Sequence, residues 1–288
     1  MAKSLSIILP AKNGAEALAR LLPELKRLHA DAEFIVVNDG SVDDTVAICE
    51  RNAVKYVTHA YSLGNGAAIK HGARFAKGEI LVFMDADGQH NPEDIQRLIN
   101  HLDKGFDMVV GARDRGSHAS AGRGVANRIY NRLASYMTGH KIEDLTSGFR
   151  AVRAKRFREF LYLLPNGFSY PTTCTMAFFR AGYLVAYIPI KASKRLGKSH
   201  INVFKDGLRF LLIIFKIGTL YSPLKLFFPV ALVHALVGIG YYVYTYATQS
   251  RLSLATIFLL TASVTIFLIG LVSEQITQLI YKHSAQDK

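Results

Sequence analysis

The sequence predicts an α/β fold built on a mainly parallel sheet covered by helices, followed by a helical hairpin that spans a membrane. Three observations predict it. Up to about residue 195, short β-branched runs alternate with charged segments of helical apolar spacing. Acidic turns follow two of those runs directly. Two apolar blocks, each about 22 residues and long enough to span a hydrocarbon core, close the chain.

The strands come first. Residues 5–10, 34–37, 80–84 and 108–110 read as buried strands, because they are almost wholly apolar and too short for buried helices. Residues 16–29, 43–51, 66–76 and 92–103 carry apolar side chains at helical spacing, with Pro92 suited to a first turn and Asp43 or Asp44 suited to a cap. Alternation of the two implies parallel strands joined by helical crossovers. Ligands of such sheets bind beyond the carboxyl ends of the strands, so the polar residues there are the candidates.

The apolar blocks cover residues 226–247 and 252–273, and only His234 interrupts the first. The linker between them is too short for a domain, so both ends of the hairpin lie on one side. Lys194, Arg195, Lys198, Lys205, Arg209, Lys216 and Lys225 precede the spans, and Lys282, His283 and Lys288 follow, against a single Arg251 in the turn. This bias places the large domain in the cytoplasm. Before the spans, Lys205, Arg209 and Lys216 fall at helical spacing, with Phe204, Leu208, Leu211, Leu212 and Phe215 on other faces, as in a helix lying on anionic headgroups. The expected division is a domain over 1–200, an amphipathic juxtamembrane segment over 201–222, and two spans with a short tail over 223–288.

With 35 Lys and Arg against 22 Asp and Glu, the net charge is +13, which suits a phosphate-rich partner. Nucleic acid is not the expected one: the basic residues crowd the membrane-proximal region, no helix-turn-helix or aromatic RNA motif is present, and the spans would go unexplained. Cys49 and Cys174 lie far apart without metal-ligand spacing and read as reduced core thiols. Gly64-Asn65-Gly66 lacks the third glycine of a dinucleotide fingerprint, since position 69 is Ile.

The sharpest chemical signal is Asp85-Ala86-Asp87, directly after the strand at 80–84 and followed by Gln89. Two carboxylates there can converge on a hard cation, with Gln89 adding a neutral oxygen. Mg²⁺ or Mn²⁺ takes such ligands and keeps positions for diphosphate and water. A second acidic turn, Asn38-Asp39-Gly40-Ser41, follows the strand at 34–37. Asp39 there can accept hydrogen bonds from a base or ribose; a helix-capping turn explains Ser41 and Asp43 equally well.

These motifs carry a resemblance. Residues 7–13 (Ile-Ile-Leu-Pro-Ala-Lys-Asn), 37–41, 64–68, 83–94 and 144–150, with the basic loop Arg195-Leu196-Gly197-Lys198-Ser199, resemble the family-2 glycosyltransferases, and more narrowly their dolichol-phosphate-mannose-synthase-like, polyprenyl-phosphate branch. The resemblance covers about residues 5 to 200. It implies a GT-A fold, Rossmann-like with helices on both faces of the sheet, and inverting transfer of a sugar from a UDP- or GDP-linked donor to a polyprenyl phosphate such as dolichyl or undecaprenyl phosphate.

Carried over by position, Pro10, Lys12, Val37 and Asp39 line the nucleotide pocket. Asp85 and Asp87, with Ala86 between them, and Gln89 hold the metal, Asp87 beside the reacting centre. Arg113 reaches phosphate, and Arg195 and Lys198 clamp the diphosphate, the acceptor phosphate or both. Asp144 stands where a carboxylate could contact sugar or accept a proton, and capping of the following turn explains it nearly as well. The first motif has Lys12-Asn13-Gly14 where relatives usually carry Tyr-Asn-Glu, and Pro171 and Thr172 stand where many carry acidic residues, so base and sugar stay open. The rivals are a membrane-anchored transferase with a glycolipid or polysaccharide acceptor, and an inactive scaffold of the same fold. A processive synthase is disfavoured, since its Gln-x-x-Arg-Trp segment cannot exist in a chain without tryptophan. A homo-oligomer is compatible with all of these.

Overall fold

The computed structural model describes residues 3–113, 121–167, 169–191, 215 and 218–286, without the side chains of 121–126 and 282–286. The chain divides into two compact units, Met1–Ile201 and Asn202–Lys288.

The first unit is a seven-stranded sheet in the order β3-β2-β1-β4-β6-β5-β7. The strands are β1 (Leu5–Ala11), β2 (Glu33–Asn38), β3 (Lys55–Thr58), β4 (Ile80–Phe83), β5 (Met108–Arg113), β6 (Arg150–Arg153) and β7 (Val185–Ile190). Ile7 and Leu9 of β1 point into one core, with Leu18, Leu21, Leu22 and Leu25 of α1 (Ala15–Leu28) and Ile95, Leu98 and Leu102 of α4 (Asp94–Leu102). Each of these leucines is at most 5 % exposed, and full burial stabilises by about 2 kcal/mol per side chain. Ile8 points to the other face, under α3 (Asn65–Phe75). There a Cβ at Gly72 would stand 2.4 Å from Ile8 Cγ2, so only glycine lets the helix approach this closely. Burial on both faces explains why β1, β2 and β4 read as unbroken apolar runs. Helix α2 (Thr45–Arg51) follows the second acidic turn, starting two residues later than the sequence suggests.

Three strands went unread in the sequence. β3 is a largely exposed edge strand, β7 carries Pro189, and β6 is four residues with arginine at each end. β6 is also antiparallel, pairing with both β4 and β5, while β1–β2, β1–β4, β2–β3 and β5–β7 pair in parallel. The sheet is therefore mainly parallel with one reversed strand. That reversal positions the site: Arg150, at the start of β6, is level with Phe83 at the end of β4 and Val110 near the end of β5. The segment before β6 thus emerges at the edge where the parallel strands end. Helices α5 (Ala121–Thr138), α6 (Ala154–Arg158) and α7 (Tyr170–Arg180) complete the unit.

The second unit contains α8 (Pro223–Gln249) and α9 (Leu254–Gln286), joined at Ser250, whose φ of 46° closes the first helix. Both are long and apolar enough to cross a membrane. Their contact is a seam of small residues. Ala231, Gly238 and Thr245 recur every seven positions along α8, a Cβ on Gly238 would lie 3.0 Å from Leu260, and Ser263 Oγ donates to the Ala231 carbonyl at 2.8 Å. Most large apolar side chains face outward, among them Leu236, Val243, Phe258 and Val272. That is the arrangement of helices solvated by lipid, since a soluble core would hide them. Most of the expected amphipathic segment at 201–222 lies outside the described residues.

Candidate active site

The carboxyl ends of β1, β2, β4 and β5 and the approach to β6 bring the candidate residues to one edge. The loops after β1 and β2 are stitched together there. Asn13 N donates to Ser41 Oγ (2.9 Å), Gly14 N to Thr45 Oγ1 (3.1 Å) and Ala15 N to Asp43 Oδ2 (3.0 Å), while Asn13 Oδ1 accepts from Val42 N (3.0 Å). The first turn of α1 is therefore capped from another loop, which gives the acidic turn part of the structural role open to it. Hydrogen bonds from Thr45 and Ala15 outweigh burial and hold Asp43 below the usual carboxylate range. Pro10 is half-buried and Lys12 exposed at the end of β1. Val37 stands apart from the expectation: it is fully buried and packs toward Gly72 of α3, so its side chain supports the sheet and lines no pocket.

Asp39 is 4 % exposed and both its oxygens are filled. Oδ1 lies 2.7 Å from His59 Nδ1 and accepts from Leu63 N (2.7 Å); Oδ2 accepts from Ser62 Oγ (2.7 Å) and Gly64 N (2.9 Å). Burial would raise its pKa, but these donors together hold it lowered. The carboxylate thus organises the loop that leads into α3. His59 Nε2 in turn meets His71 Nδ1 at 2.7 Å, and burial with the neighbouring His59 keeps His71 below its ordinary value.

Asp85 and Asp87 differ from Asp39 in being only half-buried. Asn65 Nδ2 donates to Asp85 Oδ1 at 3.3 Å. A Cβ at Gly148 would lie 3.0 Å from Asp85 Oδ2, so glycine allows the reversed segment to approach the carboxylate. Asp87 Oδ1 accepts from Gln89 N at 3.1 Å across Gly88, whose φ of 72° closes the turn. Ala86 between them is core. His90 stacks on Phe149 at 4.8 Å, and burial drives its pKa down to about 4; its Nδ1 is buried without a hydrogen-bond partner among the described residues.

Across the same edge, Arg113 Nε and Nη2 grip Asp144 Oδ2 and Oδ1 at 2.7 and 2.9 Å, and Nη2 also reaches Thr146 Oγ1 at 2.6 Å. Burial lowers the guanidinium pKa, and Asp144, then Asp85 and Asp87, more than restore it. Both aspartates of the motif therefore bear on one fixed cation. Asp144 is 1 % exposed, and its oxygens accept from Arg113 and from Thr146 N and Oγ1, so it caps the turn at Thr146, the other reading open to it, and orients Arg113. Arg195 and Lys198 lie outside the described residues.

Two supports were missed in the sequence. Arg150 is fully buried, and Nη1 donates to Pro171 O (3.0 Å) and Thr175 Oγ1 (3.2 Å) while Nη2 donates to Ser147 O. It holds the Gly148 turn in place. Tyr170, 1 % exposed, donates to Gly148 O at 3.3 Å, and burial raises its hydroxyl pKa. Arg150 closed a motif in the sequence, but nothing there marked its burial.

The Asp85 and Asp87 side chains offer carboxylate oxygens, and Gln89 follows them on the same half-buried loop. Among the described residues no three or more His, Cys, Asp or Glu gather into a self-sufficient cage. Two carboxylates and an amide at a half-open loop suit a hard cation that completes its shell with phosphate and water.

The sequence matches the model of glycosyl transferase family 2 over residues 6–161, more than half the chain. The chain belongs to this family. It also matches the GtrB C-terminal hairpin over residues 222–279. This family-2 chain is 30 % identical over 220 residues to polyprenol monophosphomannose synthase of Mycolicibacterium smegmatis, covering 68 % of this chain and 80 % of that protein. It is 32 % identical over 158 residues to undecaprenyl-phosphate 4-deoxy-4-formamido-L-arabinose transferase of Proteus mirabilis, covering 51 % and 48 %. The structure of glucosyl-3-phosphoglycerate synthase from Mycobacterium tuberculosis with Mn²⁺ and UDP-glucose superposes with a TM-score of 0.61 at 18 % identity, covering 75 % of this chain and 79 % of that one. The fold is thus GT-A, and the chain is a membrane glycosyltransferase similar to polyprenyl-phosphate sugar transferases.

Proposed function

We propose that this family-2 enzyme transfers a sugar, with inversion, from a nucleoside-diphosphate sugar to a polyprenyl phosphate at the cytoplasmic face of the cell membrane. The observation that carries the proposal is the pair of half-exposed carboxylates, Asp85 and Asp87, at the end of β4, electrostatically coupled to an arginine that a buried aspartate holds in place. Relatives named for polyprenyl and undecaprenyl phosphate support the acceptor, and a fold neighbour holding Mn²⁺ and UDP-glucose supports the donor class and metal.

Asp85 and Asp87, with Gln89, are assigned to a Mg²⁺ or Mn²⁺ ion, which when bound supplies Lewis-acid stabilisation of the leaving diphosphate. An acceptor phosphate oxygen attacks the anomeric carbon in line, forming the new carbon–oxygen bond as the bond to the nucleoside diphosphate breaks. A phosphate monoester has a second pKa near 6, so the nucleophile is largely ionised at neutral pH and needs no strong base. Catalysis is then positioning and charge stabilisation. Arg113, gripped by Asp144 through Nε and Nη2, is assigned to a phosphate oxygen. Pro10, Lys12 and the Asp39 loop form the nucleoside side of the site. Arg195 and Lys198 offset the repulsion between two phosphate groups. In this scheme residues 1–200 are the catalytic domain, 201–222 rest on the membrane surface, and 223–288 anchor it.

The test is a panel of UDP- and GDP-sugars offered with Mn²⁺ and a polyprenyl phosphate to the full chain in detergent. One donor should yield the lipid-linked sugar with the opposite anomeric configuration. Turnover with a glycolipid or polysaccharide alone would refute the acceptor assignment.

A further inference from the structure

Resting on the assignment of a cation to Asp85 and Asp87, we infer that Asn65 is a positioning residue that sets the orientation of the Asp85 carboxylate and ties it to the Asp39 loop. Asn65 is the first residue of α3, and its backbone is pinned on both sides. Immediately before it, the amides of Leu63 and Gly64 end on the buried Asp39 carboxylate. Immediately after it, Gly66 lies so close to the 165–167 segment that a Cβ there would stand 2.1 Å from the Pro165 carbonyl, and Ala67 N donates to Asn166 O at 3.0 Å. Helix rotation and slippage are both blocked, so the side chain has a fixed origin.

From that origin Nδ2 donates to Asp85 Oδ1. A carboxylate only accepts, so the amino end of the amide must face Asp85, and the oxygen must face away. Asn65 Oδ1 is buried and has no hydrogen-bond partner among the described residues. A side chain chosen for stability alone would fill that acceptor or lack it; an orphaned buried oxygen calls for an explanation. Here the amide is retained for its other end, which holds one oxygen of a carboxylate whose second oxygen faces Gly148. Asp85 is thus framed on both sides, by the nucleoside-side loop through Asn65 and by the reversed segment through Gly148. Partners of this kind typically change metal affinity by about 10–100-fold when removed.

The test is Mn²⁺ binding, followed by electron paramagnetic resonance of the free ion, to the full chain in detergent with a nucleoside diphosphate present. Asn65→Ala should weaken Mn²⁺ binding by about 10–100-fold with the thermal midpoint little changed, because alanine suits a helix start. Asn65→Ser, which keeps a shorter donor, should fall between it and the parent. Asp85→Ala serves as the reference. If Asp85→Ala loses Mn²⁺ while Asn65→Ala stays within about twofold of the parent, the inference fails and the cation assignment survives. If Asp85→Ala binds Mn²⁺ as the parent does, both fail.

Discussion

Two pairs of aspartates stand at the same edge of the sheet and differ in what surrounds them. Asp39 and Asp144 are 4 % and 1 % exposed, and each accepts at least four hydrogen bonds, Asp39 from the loop after β3 and Asp144 from Arg113 at the end of β5 and from Thr146. Asp85 and Asp87 are half-buried; Asn65 Nδ2 donates to the first at 3.3 Å and Gln89 N to the second at 3.1 Å. The first pair builds the walls; the second is the one proposed to meet a cation and a diphosphate. Burial, more than residue type, divides the two pairs.

The division is breakable by substitution. Asp87→Ala should lower transfer by about 10³-fold or more, since metal stabilisation of leaving-group charge is worth several kcal/mol, while the urea midpoint stays near that of the parent. Asp144→Asn should do the reverse in stability. It leaves Arg113 without its counter-charge and should cost about 3 kcal/mol in urea unfolding, the low end for a buried pair because 28 % of the Arg113 side chain remains exposed. An Asp144→Asn protein as stable as the parent would erase the distinction. Gly148→Ala sharpens it from the other side. The added methyl meets Asp85 Oδ2 at 3.0 Å and should weaken Mn²⁺ binding roughly tenfold with little loss of stability.

The smallest effect is on pH. His71 has a lowered value in the folded chain, so the unfolded chain takes up that proton first, and stability should fall as pH drops through about 6.5. Asp39, also lowered, adds a loss of the same sign in stronger acid, below its unfolded value near 3.8. Urea midpoints at pH 7.5 and 5.5 should show the first loss, and His71→Gln should flatten it.

Much of this was legible in the sequence, and the remainder was not for identifiable reasons. β1, β2 and β4 are buried on both faces and announce themselves as continuous apolar runs, and Asp85-Ala86-Asp87 follows one of them. β6 is a strand because β4 and β5 flank it, and nothing in Arg150-Ala151-Val152-Arg153 says so locally. Asp144 was marked as a candidate, yet its part depends on Arg113, 31 residues earlier. Val37 was assigned to the pocket from its motif, although a strand residue facing Gly72 can only be core. Asn65 sat inside a motif without a role until Asp85 was seen beside it. The hairpin was clear from length and hydropathy alone.

The most direct measurement is an anomalous difference map at the manganese edge from crystals of the full chain grown with Mn²⁺ and a nucleoside diphosphate. A peak is expected within bonding distance of the Asp85 and Asp87 carboxylates and of the diphosphate. A nucleotide bound at this edge with manganese located elsewhere, or with both side chains turned from it, would contradict it.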